Sequence, residues 1–286
     1  KAMLDAVIRK EVNNAYYQLW YLQDISTLYQ RLDTMYSSMY KAADLMVKTG
    51  EAAGLDRISA EVKMKELKAQ LQQNKKNITL QQQQLSMLLN TDTMYLPLTK
   101  PLEKLSYTVS MAEGQHPSLA LQQQNINIAN ANISVQQNTN KPEFSGRLFS
   151  QRLYGAKDPY TGFSVTAAFP LFGKAAYRSK VLAAKAEVEM QQQQLSYQQL
   201  QFNTQRNNAV VEIERANEML LFYENSGLKQ SEEIIKAALL SYQAGEISFA
   251  EMSQFFTQAI DIKKNYLQAL NEYKQSVIQY KYYLNQ

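Results

Sequence analysis

The stretch SYQAGEISFAEM, residues Ser241–Met252, recurs in a similar form as VKTGEAAGLDRI, residues Val47–Ile58. Each copy contains a Gly-Glu pair and lies between long stretches of helix-forming sequence without proline. A glycine that follows a helical segment commonly ends the helix in a left-handed conformation. The two copies therefore predict sharp turns between long helices, with Gly50 and Gly245 at the bends.

The similarity extends well beyond the two turns. EVNNAYYQL from Glu11 matches QRNNAVVEI from Gln205, and LLN ending at Asn90 matches YLN ending at Asn285. The offset between the copies is 194 or 195 throughout. We interpret this as a duplicated unit, each copy of which is a helical hairpin bent at its Gly-Glu turn.

The composition supports long helices and argues against an enzyme. Among 286 residues there are only 9 glycines and 6 prolines, with no cysteine and one histidine. Cysteine nucleophiles, thiolate metal sites and disulfides are excluded, and no phosphate-binding loop or nucleophile-base pair is present. The net charge of +4 is dispersed along the helices, which does not indicate a nucleic-acid surface. We predict no catalytic residue, no metal site and no cofactor.

Apolar residues recur every three or four positions in both halves, which is the spacing of a coiled-coil seam. In the second half these are Phe255, Ala259, Ile262, Tyr266, Ala269, Tyr273, Val277, Tyr280 and Leu284. In the first half they are Met64, Leu67, Leu71, Ile78, Leu85 and Leu88. The predicted fold class is mainly α, with long antiparallel, coiled-coil-like helical hairpins in a duplicated arrangement and one β-hairpin.

The β-hairpin is predicted where the period changes to two. In FSVTAAFPLF, small or polar residues alternate with four apolar ones: Phe163, Val165, Ala167 and Phe169. Such alternation predicts a strand with one apolar face, and residues 147–154 are its expected partner across the loop 155–162. A strand of about ten residues suits a tilted transmembrane strand, but a soluble hairpin packed on the helices fits the period equally well.

These features divide the chain into three parts. We predict a first-repeat helical hairpin at 1–90, a proline-bearing connector at 91–117 and a second repeat at 118–286. Within the second repeat we predict a helix at 118–140, the β-hairpin at 144–172 and a helical hairpin at 174–286.

HPSLALQQQNINIANANI before the β-hairpin, FPLFGKAAYRSKVLAAKAEVE at its end and the paired turns resemble the outer membrane efflux protein family, which includes TolC-like and CusC-like channels. The resemblance implies a homotrimer in the outer membrane and periplasm of a Gram-negative bacterium, with β-hairpins in a membrane barrel and helices forming a tunnel. It implies a periplasmic adaptor protein and an inner-membrane transporter as partners, and small molecules or metal ions as cargo.

The resemblance also assigns roles to particular residues. The tip turns that contact the adaptor would be Gly50, Glu51, Gly54, Gly245 and Glu246. The membrane-facing strand would present Phe163, Val165, Ala167 and Phe169. Asp56 and Glu251, each six residues after a turn glycine, would line the periplasmic entrance and favour cations. For both acids, a solvated carboxylate that stabilises a helix N-terminus is the alternative.

A second function fits the helices: a periplasmic coiled-coil adaptor or scaffold without channel activity. An adaptor usually has one helical hairpin, so the two hairpins of this chain favour the channel. Only the second repeat has a helix and a β-hairpin ahead of its helical hairpin. We therefore expect the first helix and first β-hairpin of the family to be absent from this sequence. His116 is interpreted as a helix-start residue, not a metal ligand.

Overall fold

The computed structural model describes residues 1–50, 53–98, 104–107, 116–152, 154–155, 157, 159–170 and 172–284. The elements are α1 (Ala2–Thr49), α2 (Gly54–Leu88), α3 (Pro117–Asn138), β1 (Glu143–Gln151), β2 (Tyr160–Ala168), α4 (Lys174–Phe222), a π turn (Tyr223–Gly227), α5 (Leu228–Gln243) and α6 (Phe249–Tyr283). Long helices with one two-stranded sheet confirm the predicted fold class.

The chain forms two compact units. One comprises residues 1–114 and 204–286 and contains both Gly-Glu turns, and the other comprises residues 115–203. The second unit holds α3, the β-hairpin and the first part of α4, where Gln122 Nε2 on α3 donates to Gln191 Oε1 on α4 at 2.8 Å. Ile126 and Ala129 supply the apolar part of the buried surface of α3.

In the first unit, α1 and α2 pack antiparallel as the first hairpin. Ala15 and Leu19 are buried with Leu85 in one core cluster along these helices. Two polar side chains of α2 hydrogen bond to α1: Asn74 donates to the carbonyl of Leu22 at 2.8 Å, and Gln81 to that of Ala15 at 3.4 Å. Because buried polar groups cost free energy unless they are bonded, these contacts fix the register of the two helices.

The predicted seam of the second half is correct along most of α6, but its first residue is wrong. Phe256 is 1% exposed, whereas Phe255 is 43% exposed. The helix begins at Phe249, and Phe249, Met252 and Phe256 follow one another at steps of three and four. These steps keep the three side chains on one helix face and turn Phe255 away from it.

The duplication is visible in which residues are buried. At the offset of 194 the buried pairs are Ala15/Ala209, Leu19/Ile213, Leu22/Ala216 and Tyr29/Tyr223; at 195 they are Tyr36/Ser231 and Ala43/Ala238. The offset rises where the π turn Tyr223–Gly227 lies between α4 and α5. Because a π turn holds more residues than an α turn, it absorbs the extra residue and keeps the inward face unchanged.

The β-hairpin is antiparallel, with Leu148 opposite Phe163 and Gln151 opposite Tyr160. The predicted partner strand, 147–154, is therefore displaced from the observed β1, Glu143–Gln151. The predicted loop also started the second strand too late, because Tyr160 and Thr161 already pair in β2. Both are residue types that favour strands, so pairing extends towards the turn beyond the apolar alternation.

Candidate functional site

The tip of the second hairpin is closed by its glycine. Gly245 has φ of 73°, its N–H donates to the carbonyl of Tyr242 at 3.1 Å, and the N–H of Glu246 donates to that of Ser241 at 2.9 Å. These two bonds satisfy carbonyls at the end of α5 in a Schellman motif. A Cβ added to Gly245 would have open space around it. The backbone conformation, and not crowding, is what requires glycine here.

The tip of the first hairpin has the same backbone device. Gly50 has φ of 82°, and its N–H donates to the carbonyl of Val47 at 3.2 Å. Glu51 lies outside the described residues. Gly54 is the first residue of α2 and is not in the left-handed region, so it has no conformational need for glycine.

Gly245→Ala is expected to lower the free energy of unfolding by about 1 to 2 kcal/mol, because an L-residue is strained in the left-handed region. Gly50→Ala should behave alike. Gly54→Ala is the matched control, since this glycine also has open space around it, and it should be neutral or slightly stabilising. Urea denaturation followed by circular dichroism measures all three. If Gly54→Ala and Gly245→Ala lowered the free energy of unfolding equally, the proposed role of the left-handed backbone conformation would be contradicted.

The two predicted entrance carboxylates occupy the same position in their helices, three residues after the N-cap. Glu251 forms a capping box with Ser248: its Oε2 accepts from the Ser248 N–H at 2.8 Å, while its own N–H donates to Ser248 Oγ at 3.2 Å. The backbone and side-chain hydrogen bonds from Ser248 hold the pKa of Glu251 below its ordinary value. Glu251 is therefore ionised at neutral pH and stabilises the start of α6.

Asp56 lies in the corresponding turn of α2, where the N-cap is Ala53 and no side chain caps the helix. Its side chain is half-buried. Burial raises the pKa of Tyr242, and the charge of Asp56 raises it further, which places this carboxylate near the end of α5. The carboxylate of Asp56 is therefore within electrostatic range of Tyr242 on α5, whereas Glu251 is bonded to its own helix.

The two hairpins are joined at their tips by an apolar cluster that the sequence analysis missed. Its buried members are Ala43, Ala60, Ala238, Phe249, Met252 and Phe256. Tyr242 Oη also donates to Met46 Sδ at 3.6 Å, which links α5 to α1. Ala43 and Ala238 occupy equivalent positions in the two repeats. This pair could have indicated the cluster from the sequence, because small residues allow helices to approach closely.

Most apolar side chains of the β-hairpin lie on one face, whereas Phe149 and Tyr160 pack together on the other face near the turn, with ring centres 6.0 Å apart. Phe144, Leu148, Phe163, Val165 and Phe169 are all exposed, by 58 to 86%. The other face carries polar residues that include Glu143, Ser145, Arg147, Ser164 and Thr166. Among the described residues, no helix of the same unit covers this apolar face. A contiguous exposed apolar face of this kind marks a surface for a membrane or a protein partner.

The single histidine starts a helix, as interpreted from the sequence. His116 is the N-cap of α3, and its Nδ1 lies 2.7 Å from Ser118 Oγ and accepts from the Ser118 N–H at 3.3 Å. Among the described residues, no three His, Cys, Asp or Glu side chains are grouped so that they could hold a metal ion. Within the same residues, no helix combines the length and apolarity needed to cross a membrane.

The described residues thus form duplicated helical hairpins with closed tips and a β-hairpin that exposes an apolar face. The family model described as outer membrane efflux protein matches residues 108–286, more than half of the chain. The chain therefore belongs to the outer membrane efflux protein family. The first hairpin lies outside the matched residues, but it repeats the second.

Solved structures share this fold at low sequence identity. A membrane protein from Pseudomonas aeruginosa is 14% identical with a TM-score of 0.86. The alignment covers 99% of this chain and 67% of that protein's chain. The outer membrane protein VceC of Vibrio cholerae is 13% identical with a TM-score of 0.81, covering 98% and 70%. The open state of the Neisseria gonorrhoeae MtrE channel is 17% identical with a TM-score of 0.79, covering 99% and 67%. None of the curated proteins compared with the chain matches it.

Family membership confirms the predicted class, location and absence of enzymatic activity. The protein is an outer membrane efflux channel of a Gram-negative bacterium that extends into the periplasm, and it is not an enzyme. Its role is that of the channel in a tripartite pump.

Proposed function

We propose that the protein works as a homotrimer that conducts exported small molecules or metal ions through a tunnel built from its helices. The tip turns at Gly50 and Gly245 contact a periplasmic adaptor protein, and an inner-membrane transporter supplies the cargo. The observation that carries the proposal is the exposed apolar face of the β-hairpin. Moving this face from water into a membrane is favourable by about 25 cal/mol per Å² of apolar surface removed from water.

In this proposal the membrane-facing residues of the second strand are Phe163, Val165, Ala167 and Phe169. Phe163, Val165 and Ala167 alternate with Ser164 and Thr166, which belong to the polar face of β2. Phe169 contacts Phe144 of the first strand edge to face, with ring centres 6.2 Å apart. The aromatic pair closes the end of the hairpin opposite its turn. The apolar face is thereby continuous across both strands.

Val165→Lys is expected to reduce the fraction of protein recovered in the outer membrane, because a lysine facing lipid costs about 2 to 3 kcal/mol. Thr166→Lys is the matched control, since Thr166 is adjacent but belongs to the polar face. Membrane fractionation of the complete gene product measures both variants. Equal recovery of the two would contradict a lipid-facing role for the apolar side.

The entrance to the tunnel is proposed to carry Asp56 and Glu251. Both lie in the first turn of the helix that follows a tip, so three copies would place a ring of like charge there. A ring of carboxylates attracts cations and repels anions. Helix capping by Glu251 is compatible with this role, because a carboxylate in a capping box remains charged.

Neutralising the ring is expected to reduce cation preference in planar bilayers. Asp56→Asn combined with Glu251→Gln should shift the reversal potential under a salt gradient towards zero, while Glu251→Gln keeps the capping box intact. Asp5→Asn is the matched control, because Asp5 also lies in the first turn of a helix but at the far end of α1. Unchanged selectivity would refute the entrance role, and absence of any conductance from the native protein would refute the channel and favour an adaptor or scaffold.

A further inference from the structure

The polar face of the β-hairpin carries an aromatic contact that a membrane-facing role does not explain. Phe149 of β1 lies opposite Gly162 of β2, and Tyr160 lies on the same face, one step closer to the turn. The ring centres of Phe149 and Tyr160 are 6.0 Å apart. Both side chains belong to the face opposite Phe163, so they do not contribute to the surface proposed to contact lipid.

Gly162 determines where the Phe149 ring lies. A Cβ added to Gly162 would be 2.7 Å from Cζ of Phe149 and 3.1 Å from its Cε2, so the ring occupies the space that a side chain would need. Within β1 and β2, which the structure describes completely, only Phe149 and Gly162 are half-buried, and every other residue is exposed. An aromatic ring that covers a cross-strand glycine is held in place by it. Tyr160 beside it remains 60% exposed.

A cation lies next to the two rings. Arg147 is two residues before Phe149 on the same face, lies opposite Ser164 and is exposed. Among the described residues, no carboxylate forms an ion pair with Arg147. A guanidinium pairs with acidic groups and also stacks on flat aromatic systems. Two rings beside a guanidinium therefore match a flat aromatic molecule that carries an acidic group.

These side chains lie near the outer end of the hairpin. The strand ends at Glu143 and Ala168 connect to the helices α3 and α4, whereas Phe149 and Tyr160 lie near the turn at the opposite end. The helical part extends into the periplasm, so the turn points away from it. In a membrane-inserted strand whose apolar side faces lipid, the alternate side faces the pore.

We propose that Phe149, Tyr160 and Arg147 form an exit patch on the pore wall, which binds flat aromatic cargo with an acidic group before it leaves the channel. The inference rests on the proposed function and names a class of cargo for it. Stacking on the two rings selects aromatic over aliphatic molecules, and the guanidinium selects those with an acidic group. The exit patch is complete within one chain, so it does not depend on how the copies pack.

Block of the current in a planar bilayer tests the exit patch. The complete gene product is exposed on both sides to 2-naphthalenesulfonate, or to cyclohexanesulfonate, which has the same charge and no aromatic ring. The aromatic anion is expected to block at the lower concentration. Phe149→Leu should raise its blocking concentration about 2- to 10-fold, which corresponds to the loss of one aromatic contact. Phe144→Leu is the matched control, because Phe144 lies on the apolar face, and it should leave the block unchanged.

A pair of glycine variants tests whether the ring must lie where the structure places it. Gly162→Ala forces the Phe149 ring to move, so the block by 2-naphthalenesulfonate should weaken although both rings are still present. Gly146→Ala is the matched control, because this strand glycine has open space around it. Arg147→Gln should also weaken the block, and more at low than at high ionic strength, because salt screens exposed charges.

The outcomes separate the exit patch from the function on which it rests. If the native protein conducts but Phe149→Leu is blocked at the same concentration as the native protein, the exit patch is overturned and the channel stands. Equal block of the native protein by the two anions would overturn it as well. If the native protein does not conduct, the proposed function fails and the exit patch fails with it.

Discussion

Phe256→Ala is expected to lower the free energy of unfolding by about 3 to 5 kcal/mol. The side chain is 1% exposed and packs in the cluster that joins the two hairpin tips. Its smaller buried neighbours there are Ala43, Ala60 and Ala238. These methyl groups cannot extend into the vacated volume, so the cavity would persist and the cost would lie near the upper end of the range.

The adjacent residue supplies the control for this effect. Phe255→Ala removes the same number of atoms from a side chain that is 43% exposed, and should cost less than about 1 kcal/mol. Urea denaturation followed by far-ultraviolet circular dichroism measures both. Similar losses for the two variants would mean that the inward face of α6 is assigned incorrectly.

Lys274→Glu is expected to destabilise the protein by about 3 to 5 kcal/mol, because it buries an unpaired charge. The lysine is 1% exposed, and its Nζ lies 4.9 Å from the ring centre of Tyr17 and 5.3 Å from that of Trp20. Aromatic faces attract cations and repel anions. Burial raises the pKa of nearby Asp24 while the charge of Lys274 lowers it. A glutamate would therefore lose the attraction to the rings of Tyr17 and Trp20 and to Asp24. Its own negative charge would repel the Asp24 carboxylate.

Lys274→Met separates charge from packing, because methionine retains much of the aliphatic stem. It should cost about 2 kcal/mol, the value of a desolvated cation–π contact. Trp20 is the only tryptophan in the sequence, so its fluorescence reports on this position without interference. If Lys274→Glu and Lys274→Met unfold at the same urea concentration, the sign of the charge at this position does not matter.

Local signals allowed most of the helical fold to be predicted from the sequence. Gly50 and Gly245 adopt the left-handed conformation that commonly ends a helix, and the repeat showed that the two turns belong to equivalent units. The period of the apolar residues was enough to place the seam of α6 from Ala259 onwards. These signals depend on neighbouring residues and hardly on distant ones.

Features that depend on distant contacts were missed or misplaced. Phe255 and Phe256 are both phenylalanine, so only the start of α6 and the position of the neighbouring hairpin determine which of them is buried. Lys274 belongs by residue type to a solvated surface, and its burial depends on side chains more than 250 positions away, among them Tyr17 and Trp20. The strand β1 contains no β-branched residue, so its limits depended on pairing with β2.

The π turn between α4 and α5 has an evolutionary consequence. One residue added to an uninterrupted α-helix rotates everything beyond it by about 100°. Such an insertion would have turned Ala238 and the Gly245 bend away from the first hairpin. The wider turn at Tyr223–Gly227 confines the change to five residues, and Ala238 still lies in the same cluster as Ala43. The ancestral copies could therefore drift apart in length after the duplication while the geometry of their shared end was preserved.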